Sequence, residues 1–244
     1  MAPFRTLVAL ATYNEIENLP SLVNEILHVL SDADVLVVDD NSPDGTGKWC
    51  DEQSANERRL GCLHRAGKQG LGSATLAAIR FAMEHQYEVL VTLDADWSHD
   101  PRYLPELTRA VDHADVAIGS RYCPGGAIED WPWRRRLLSR SLNRLSNVLL
   151  RVPVSDTSGA FRAYRVAKLR ELDLQQIQGT GYEYLEEILW HLHHAGATFA
   201  EVPITFRDRR AGKSKINVRE AVAKFGTLFR LAVRSASPGR SARP

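Results

Sequence analysis

The sequence predicts an α/β fold, in which one domain is built on a mostly parallel sheet with helices on its faces. Two observations carry this prediction. Short β-branched apolar runs alternate along the chain with segments whose apolar residues repeat at helical spacing. The chain of 244 residues, 44% hydrophobic and 25% charged, is also long enough to bury a large core without disulfide or metal support. This composition excludes disordered, collagen-like and coiled-coil proteins.

Strand and helix patterns alternate regularly through the first half of the chain. Because strands separated by helices form βαβ units, we expect parallel strands whose functional residues gather at their carboxyl ends. Asn18 is the expected N-cap of the first helix, with Pro20 tolerated in its first turn. The predicted strands are Phe4–Ala11, Asp34–Asp39, Leu60–Arg65, Glu88–Asp94 and Asp115–Ser120, and the predicted helices are Leu19–Ser31, Leu71–His85 and Pro101–Asp112.

The second half is less regular. Residues 123–133 are rich in Gly, Pro and Trp, which predicts a loop. We see no clear linker, so residues 1–234 are expected to form a single domain, followed by a frayed tail over 235–244. The further predicted elements are strands over Gly159–Arg165 and Thr198–Arg207 and amphipathic helices over Arg134–Leu150 and Val218–Val233.

The sequence also bears on the compartment. Its apolar runs, such as Leu7–Ala11, are of strand length and fall far short of the ~20 residues that cross a bilayer. The N-terminal stretch does not have the pattern of a secretory signal. Three separated cysteines without a CxxC pair argue against a disulfide framework and fit a reducing compartment. We therefore expect a cytoplasmic protein.

Charge is distributed unevenly, although the formal net charge is only +1. Residues 1–100 contain 16 acidic and 7 basic residues, whereas residues 134–151 contain six arginines and no acid. Residues 224–244 also contain no acid. This division favours a bound cation in the first half and an anionic partner in the second, with solvated surface charge as the alternative.

Polar residues follow three of the predicted strands. The first strand leads into Thr12-Tyr13-Asn14-Glu15, the second into Asp39–Thr46, and the fourth into Asp94-Ala95-Asp96. Carboxylates brought close together repel one another unless a cation or ligand lies among them, and their oxygens suit Mg²⁺ or Mn²⁺. The three motifs together favour a metal-assisted phosphate site, and ordinary turn chemistry is the alternative.

A glycine-rich segment, Arg65–Gly72, follows the third strand and opens a helix. Glycines let the backbone approach a ligand, and a helix N-terminus favours an anion. Lys68 and Gly70 are therefore candidate contacts for an anionic ligand. The segment matches neither the P-loop nor the dinucleotide fingerprint, which counts against a nicotinamide dehydrogenase.

Together these motifs resemble the family 2 glycosyltransferases of GT-A fold, and within them the dolichyl-phosphate (polyprenol-phosphate) mannosyltransferases. The resemblance extends to about residue 233 and implies a donor half, 1–120, and an acceptor half, 121–234. The early motifs are those of the superfamily. The later motifs are typical of the lipid-phosphate branch and lie at Ser155–Arg162, Gly181–Glu187 and Glu201–Lys215.

The resemblance also implies roles for individual residues. Asp96, Arg121 and Arg136 would be catalytic, and Asp94, Asp96 and Ser98 would hold Mg²⁺ or Mn²⁺. The acceptor phosphate would meet Arg121, Arg136, Ser139 and Arg140. The nucleotide-sugar would contact Thr12, Tyr13, Glu15, Asp39, Asp40, Asp44, Lys68, Gly70, Asp94, Ala95, Asp96, Glu187, Arg209 and Lys215.

The reaction implied is inverting transfer of mannose from GDP-mannose to a polyprenyl phosphate. A lipid monophosphate carries a charge of about −1.5 to −2 near neutral pH, so its oxygen can attack the sugar without a general base. The expected partners are this donor, this acceptor and the cytoplasmic face of a membrane, with no nucleic acid; a membrane-anchoring protein stays an open alternative. Another donor such as UDP-glucose, or a catalytically silent nucleotide-sugar-binding subunit, would be the alternative function.

Some features remain open to two interpretations. Arg134–Arg151 and Val218–Val233 have apolar faces beside basic ones, which suit either a membrane interface or core packing with solvated arginines. His99, close to the metal motif, and the tryptophans Trp131 and Trp133 either belong to the site or pack a loop.

Overall fold

The computed structural model describes residues 4–208 and 218–236. The predicted ligand contacts Arg209 and Lys215 lie outside the described residues, as does the predicted tail from 237 onward. Residues 235 and 236, also predicted to be frayed, belong to the last helix.

One sheet organises the described part of the chain. Seven strands pair in the order β3-β2-β1-β4-β7-β5-β8, and β6 pairs with β9 in a small second sheet. Strand β7 is antiparallel to β4 and β5, and the other pairings are parallel, which confirms the predicted α/β class. The strands are β1 (Thr6–Thr12), β2 (Asp34–Asp39), β3 (Leu60–His64), β4 (Val89–Asp94), β5 (Val116–Ser120), β6 (Ala127–Ile128), β7 (Arg162–Arg165), β8 (Phe199–Pro203) and β9 (Thr205–Phe206).

Two predicted strands differ from those observed. The predicted strand Thr198–Arg207 divides at Ile204, because β8 pairs with β5 while β9 pairs with β6. The predicted strand Gly159–Arg165 starts only at Arg162, because the Gly159 amide donates to the Asp156 carboxylate instead of joining the ladder. The loop predicted over 123–133 also contains β6.

Helices cover both faces of the sheet. The predicted helix Pro101–Asp112 is a 3₁₀ turn, Pro101–Tyr103, followed by a short α-helix. Three further α-helices of the described structure lie outside the predicted set: α2, α6 and α7. Helix α2 has too few apolar residues to show a helical period, and α6 is only four residues long. The α-helices are α1 (Leu19–Val29), α2 (Thr46–Ser54), α3 (Leu71–Glu84), α4 (Leu104–Ala110), α5 (Trp133–Leu150), α6 (Val166–Leu169), α7 (Tyr184–His194) and α8 (Val218–Ala236).

Helix α1 starts where predicted, but the prediction that the Asn18 side chain caps it is wrong. The Asn18 side-chain amide donates to the Glu15 carboxylate at 3.1 Å instead. The backbone amides of Asn18 and Leu19 both donate to the Glu15 carbonyl. Glu15 therefore anchors the first turn of α1.

The core divides into two layers because side chains alternate along each strand. On β1, Leu7 and Ala9 join a cluster that includes residues of α3 and α7, whereas Val8 and Leu10 join one that includes residues of α1 and α4. Each buried Leu or Val contributes about 1.5–3 kcal/mol relative to exposure. These two layers hold the sheet in place beneath the loops at its carboxyl edge.

The start of α3 packs against the backbone of residues 179–181. The amides of Gly72 and Ser73 donate to the Thr180 carbonyl at 2.8 and 3.3 Å. A Cβ at Gly70 would meet this carbonyl, and Gly70 also has a left-handed φ of +96°. The helix N-terminus that the sequence suggested as an anion site is thus capped by protein backbone, which supplies the acceptor that an anion would have supplied.

We expect Gly72→Ala to destabilise the fold. A Cβ at position 72 would lie 2.5 Å from Tyr184 Cβ and would also overlap the Gly179 carbonyl oxygen. Such overpacking should lower the free energy of unfolding by about 2 kcal/mol, measured by urea denaturation.

Gly226→Ala is the matched control. Gly226 lies in α8, where a Cβ would meet nothing within 4 Å. Replacing glycine by alanine in an open helix interior should raise stability by up to about 1 kcal/mol. Equal effects of the two substitutions would contradict the close contact at Gly72.

Candidate active site

The ends of β2, β1 and β4 lie side by side, as the sequence predicted. Thr12 is the register partner of Asp39, and Ala11 is that of Asp94. The Thr12 hydroxyl donates to the buried Asp39 carboxylate at 3.1 Å, and the Ser42 hydroxyl and amide donate to it at 2.5 and 3.0 Å. Thr12 and Asp39 therefore form one fixed polar cluster at this edge.

The carboxylates of Asp40 and Asp44 hold loops in place. Asp40 forms a nearly buried ion pair with Arg65 at 2.7 Å and accepts the Gln69 amide at 2.9 Å, so it fixes the glycine-rich segment. Asp44 accepts the Thr46 hydroxyl and the Ile16 amide. Burial alone would raise the pKa of Asp44, but these hydrogen bonds outweigh it and lower that pKa. Both residues were predicted to contact the nucleotide-sugar, and in this structure their carboxylates bind neighbouring loop residues.

Tyr13 and Lys68 face each other across this edge. The Lys68 ammonium lies 4.5 Å from the centre of the Tyr13 ring. The Glu15 amide donates to the Thr46 hydroxyl at 3.0 Å, so the loop after β1 is joined to the start of α2. This arrangement places a cation and an aromatic ring at the same edge of the sheet as the Asp39 cluster.

The Asp94-Ala95-Asp96 turn is held by the residue that follows it. Trp97 has a left-handed φ of +66°, a strained conformation for a bulky side chain. Its indole N–H lies 3.3 Å from the Asn18 carbonyl and 3.2 Å from the Ser21 hydroxyl, both near the start of α1. The buried Asp96 accepts the Ser98 amide at 3.0 Å. Packing against α1 thus fixes the direction in which the turn presents its carboxylates.

His99 supports the same turn from below. Its Nδ1 accepts the Asp94 amide at 3.2 Å, and its ring packs 5.2 Å from Phe161 and 5.4 Å from Phe206. Burial lowers the pKa of His99 to about 4, which leaves the ring neutral at neutral pH. Of the two interpretations of His99 left open by the sequence, the structure favours the one in which it belongs to the candidate site.

A cavity of about 300 Å³ begins at the carboxylate turn and extends between α5 and α8. Its lining combines charged and polar side chains with apolar ones. The polar and aromatic residues that line it are Asp94, Asp96, Ser98, His99, Arg121, Trp131, Arg135, Ser139, Asn143, Ser158, Tyr182, Phe206 and Phe225; the leucines are Leu138, Leu142, Leu145, Leu185 and Leu228. A charged headgroup and an apolar tail could therefore share this cavity.

A buried ion pair forms one wall of the cavity. Arg121 Nε and Nη2 donate to the two oxygens of Asp156 at 2.7 and 2.8 Å, and Nη2 also donates to the Ser158 hydroxyl. Complete burial alone would raise the pKa of Asp156, but the adjacent guanidinium outweighs it and lowers that pKa to about 2. The pair stays ionised at all working pH values and fixes the orientation of Arg121.

Helix α5 supports this pair through Asn143, which is buried. The Asn143 side chain donates to the Ser155 carbonyl and accepts the Thr157 amide at 3.0 Å, so it clamps the loop on both sides of Asp156. Asp156 was not among the predicted site residues, although it lies in the motif Ser155–Arg162. The sequence gives no sign that Asp156 pairs with Arg121, so this role could be found only in the structure.

Helix α5 presents Arg135, not the predicted Arg136, to the cavity. Arg135 stacks 3.8 Å above the Trp131 ring and pairs with Asp208 at 2.9 Å. Arg136 and Arg140 are exposed and are not among the described lining residues, whereas Ser139 lines the cavity and bonds Tyr122 at 2.7 Å. Successive residues of an α-helix are rotated by about 100° around its axis, so Arg135 and Arg136 point in different directions and only Arg135 faces the cavity.

Glu187, predicted to contact the sugar donor, lies fully buried in α7. Its carboxylate accepts the amides of Gln178 and Gly179 and pairs with Arg230 of α8 at 2.7 Å. The structure therefore does not bring Glu187 to the cavity.

Asp94, Asp96 and Ser98 suit a hard divalent cation. The first two supply carboxylate oxygens, the ligand type that Mg²⁺ and Mn²⁺ prefer. The Ser98 hydroxyl is buried at the cavity wall, and no hydrogen bond to it is found in the described structure. This donor set is compatible with the predicted metal site.

The outer surface around the cavity mouth is apolar. Within residues 4–208 and 218–236, no helix combines the length and hydrophobicity needed to cross a bilayer. Among the side chains whose exposure is described, the large exposed apolar ones lie on α5 and α8: Trp133, Leu137, Leu138, Leu145, Val148, Phe225, Phe229 and Val233. Of the two tryptophans that the sequence singled out, Trp131 lines the cavity and Trp133 belongs to this exposed surface.

Comparison with known sequences gives matches over most of the chain. The sequence model of glycosyl transferase family 2 matches residues 7–173. Polyprenol monophosphomannose synthase of Mycolicibacterium smegmatis is 46% identical over 235 residues, covering 93% of this chain and 89% of that protein. Undecaprenyl-phosphate mannosyltransferase of Micrococcus luteus is 42% identical over 233 residues, covering 94% and 96%.

Solved structures share the fold at low identity. Glucosyl-3-phosphoglycerate synthase from Mycobacterium tuberculosis, in complex with Mn²⁺, UDP-glucose and phosphoglyceric acid, has a TM-score of 0.67 at 16% identity, covering 95% of this chain and 81% of that chain. S. aureus TarS in complex with UDP-GlcNAc has a TM-score of 0.62 at 17% identity, covering 97% and 68%. These likenesses establish the GT-A fold and carry no further inference.

We expect Asp156→Asn to destabilise the protein by about 3 kcal/mol at neutral pH, because Arg121 would remain buried without its counter-charge. The pKa of Asp156 lies below its unfolded value of about 4, so its contribution is present above pH 4 and is lost as the pH falls toward 2. The difference between wild type and variant should therefore shrink over that range, measured by urea denaturation at each pH.

The control is Glu129→Gln, which removes an exposed ion pair with Arg207. Exposed pairs contribute about 0–1 kcal/mol, so this variant should stay close to wild type. A constant effect of Asp156→Asn from pH 6 to pH 2 would contradict the assigned ion pair.

Proposed function

This chain belongs to glycosyl transferase family 2, and from that membership we propose that it transfers mannose from GDP-mannose to a polyprenyl phosphate with inversion at the anomeric carbon. The observation that carries the proposal is the single cavity joining the Asp94–Asp96 turn to an apolar channel between α5 and α8. A phosphate headgroup on an isoprenoid chain needs both environments at once. The two curated relatives are named for mannosyl transfer, to a polyprenol in one and to undecaprenyl phosphate in the other.

The donor is proposed to bind at the edge formed by β2, β1 and β4. The Tyr13 ring and the Asp39 cluster would meet the base and ribose, which leaves the diphosphate directed toward Asp94 and Asp96. Those carboxylates would hold Mg²⁺ or Mn²⁺, which when bound stabilises the charge of the departing nucleoside diphosphate. Arg209 and Lys215, outside the described residues, are proposed as further phosphate contacts.

The acceptor phosphate is proposed to lie between Arg121 and Arg135. Arg121 is held by Asp156 in one orientation, so it can position an oxygen of the phosphate without reorganising. Ser139 adds a hydroxyl on the same wall. Since the phosphate is already an anion, its oxygen attacks the sugar carbon and the nucleoside diphosphate leaves, with no general base required.

The apolar surface of α5 and α8 is proposed to lie on a membrane. Leu137, Val148 and Phe229 are each more than half exposed, and they belong to α5 and α8, the two helices that line the apolar channel. Arg136, Arg140 and Arg144 are exposed on α5 beside them and would meet anionic headgroups at the cytoplasmic face. The lipid acceptor could then enter the channel without its tail crossing water; a membrane-anchoring partner would strengthen this contact.

The proposal predicts a specific transfer reaction. Purified protein is supplied with Mg²⁺ or Mn²⁺, a short polyprenyl phosphate in detergent, and radiolabelled GDP-mannose, UDP-glucose or UDP-GlcNAc in parallel. We expect label to enter the lipid phase from GDP-mannose alone. Label from a UDP-sugar alone would keep the reaction and replace the donor, and donor binding without transfer would favour a silent subunit.

The variant Asp96→Ala tests whether transfer depends on the proposed metal site. This variant should lose at least about a hundredfold in activity while its folding is unchanged, because it removes a phosphate-proximal carboxylate. Asp112→Ala, an exposed acidic residue outside the described cavity, should transfer at the wild-type rate. Near-normal transfer by Asp96→Ala would refute the assigned metal site.

Membrane contact is tested separately by the double variant Leu137→Glu with Phe229→Glu. Neither side chain is among the described lining residues, so transfer to a short acceptor in detergent should persist. Co-sedimentation with phosphatidylglycerol vesicles should fall about tenfold, because two apolar contacts become anionic.

The matched control is Lys48→Glu on α2, which changes the net charge by the same amount at a residue exposed elsewhere. Its vesicle binding should equal that of wild type. Equal loss in both variants would mean that net charge, not the α5–α8 surface, governs binding.

A further inference from the structure

Helix α8 forms one wall of the acceptor cavity, through Phe225 and Leu228. The width of the cavity therefore depends on where α8 sits against the rest of the domain. Leu228 and Leu231 pack into the core, but apolar contacts alone permit small rotations and shifts of a helix. Directional contacts are needed to fix its position.

Among the described residues, two such contacts join α7 and α8. Arg230 Nη2 pairs with Glu187 Oε1 at 2.7 Å, and the Trp190 indole N–H donates to the Ser235 hydroxyl at 2.8 Å. The second contact holds the C-terminal end of α8. The first lies within two turns of Phe225 and Leu228, so it governs the end that lines the cavity.

Glu187 is itself rigidly held. Its other oxygen, Oε2, accepts the Gly179 amide at 2.6 Å and the Gln178 amide at 3.1 Å. Arg230 Nη1 also donates to the Gln178 side chain. Both arms of the guanidinium are thus used, and the carboxylate is engaged on both oxygens within a fully buried site.

The loop that Glu187 holds packs directly against the donor half. Thr180 accepts the amides at the start of α3, and the adjacent glycine-rich segment is fixed to Asp40. The Glu187–Arg230 pair therefore joins α8 to a loop that is already fixed against the donor half. A buried ion pair is weak support for stability alone. This pair holds one geometry because both carboxylate oxygens and both terminal nitrogens of the guanidinium are engaged.

We propose that Glu187 is a positioning residue: through Arg230 it fixes α8 at the width that admits the lipid phosphate, and it does not contact the sugar donor. The expected effect on acceptor binding rests on the proposed function. Loss of the pair should impair acceptor binding selectively, because the donor edge stays held by Asp39, Asp40 and the Asp94–Asp96 turn.

The test uses Arg230→Gln in the full chain with a short polyprenyl phosphate in detergent. Glutamine is too short to reach Glu187, so we expect KM for the acceptor to rise about tenfold while kcat and KM for the donor change less than about threefold. Arg230→Lys keeps the charge and most of the reach, and should restore acceptor KM to within about threefold of wild type. Arg234→Gln, an exposed arginine one turn further along α8, is the matched control and should behave as wild type.

A second variant separates position from stability. Arg230→Gln leaves Glu187 buried without its counter-charge, which should lower Tm, and adding Glu187→Gln should recover part of that loss. If α8 is positioned by the pair, the double variant keeps the raised acceptor KM despite its recovered Tm. Recovery of acceptor KM together with Tm, or an equal rise in donor KM, would overturn the proposal.

Hydrogen exchange gives a readout that does not require activity. In Arg230→Gln, amides of residues 225–230 should exchange about tenfold faster than in wild type, with the amides of β1 and β4 unchanged. If the wild-type protein transfers no mannose, the proposed function fails and this exchange pattern still tests the helix contact. Unchanged exchange in 225–230 would refute it.

Discussion

Repulsion among carboxylates at one edge of the sheet is the constraint on which the rest of the site depends. Parallel strands deliver Asp39, Asp40 and Asp94 to the same edge, and the loops add Asp44 and Asp156. Each carboxylate that faces protein is compensated in its own way: Asp40 by Arg65, Asp156 by Arg121, and Asp44 by amides and a hydroxyl. Asp94 and Asp96 line the cavity, where a cation and a diphosphate are proposed to bind.

The parts of the site that follow from strand order could be predicted from the sequence. Continuous apolar runs locate β1, β2 and β4, and parallel pairing of these strands brings Thr12, Asp39 and Asp94 to one edge. Ser98 as a metal ligand, Ser139 as a phosphate contact and the donor roles were implied only by the family resemblance. The apolar spacing of α5 does not show which side of the helix packs, because much of its apolar stripe is exposed.

Features that depend on which distant residue meets which could not be predicted in this way. The glycines of the 65–72 segment predicted a ligand-binding loop, yet Gly70 and Gly72 make a close contact with a loop more than 100 residues away in sequence. Glu187 reads as a sugar contact until Arg230 appears beside it. Arg135 and Arg136 differ by one position on α5, and only the packing of the helix decides that Arg135 turns inward. In each case tertiary contacts assign a role that composition and spacing leave open.

The pairing of Arg121 with Asp156 has a consequence for acceptor binding. The pair is electrically neutral, so Arg121 contributes direction more than charge: Nε and Nη2 are engaged by Asp156 and Ser158, and in the described structure no hydrogen bond from Nη1 to a protein acceptor is found. Arg135 is likewise paired, with Asp208. We infer that attraction of the proposed lipid phosphate comes from other cations, of which the exposed arginines Arg136, Arg140 and Arg144 of α5 are the candidates in the described structure. Orientation by paired, fixed arginines and attraction by exposed arginines are thus separate roles in the proposed acceptor half, and only the first requires a rigid guanidinium.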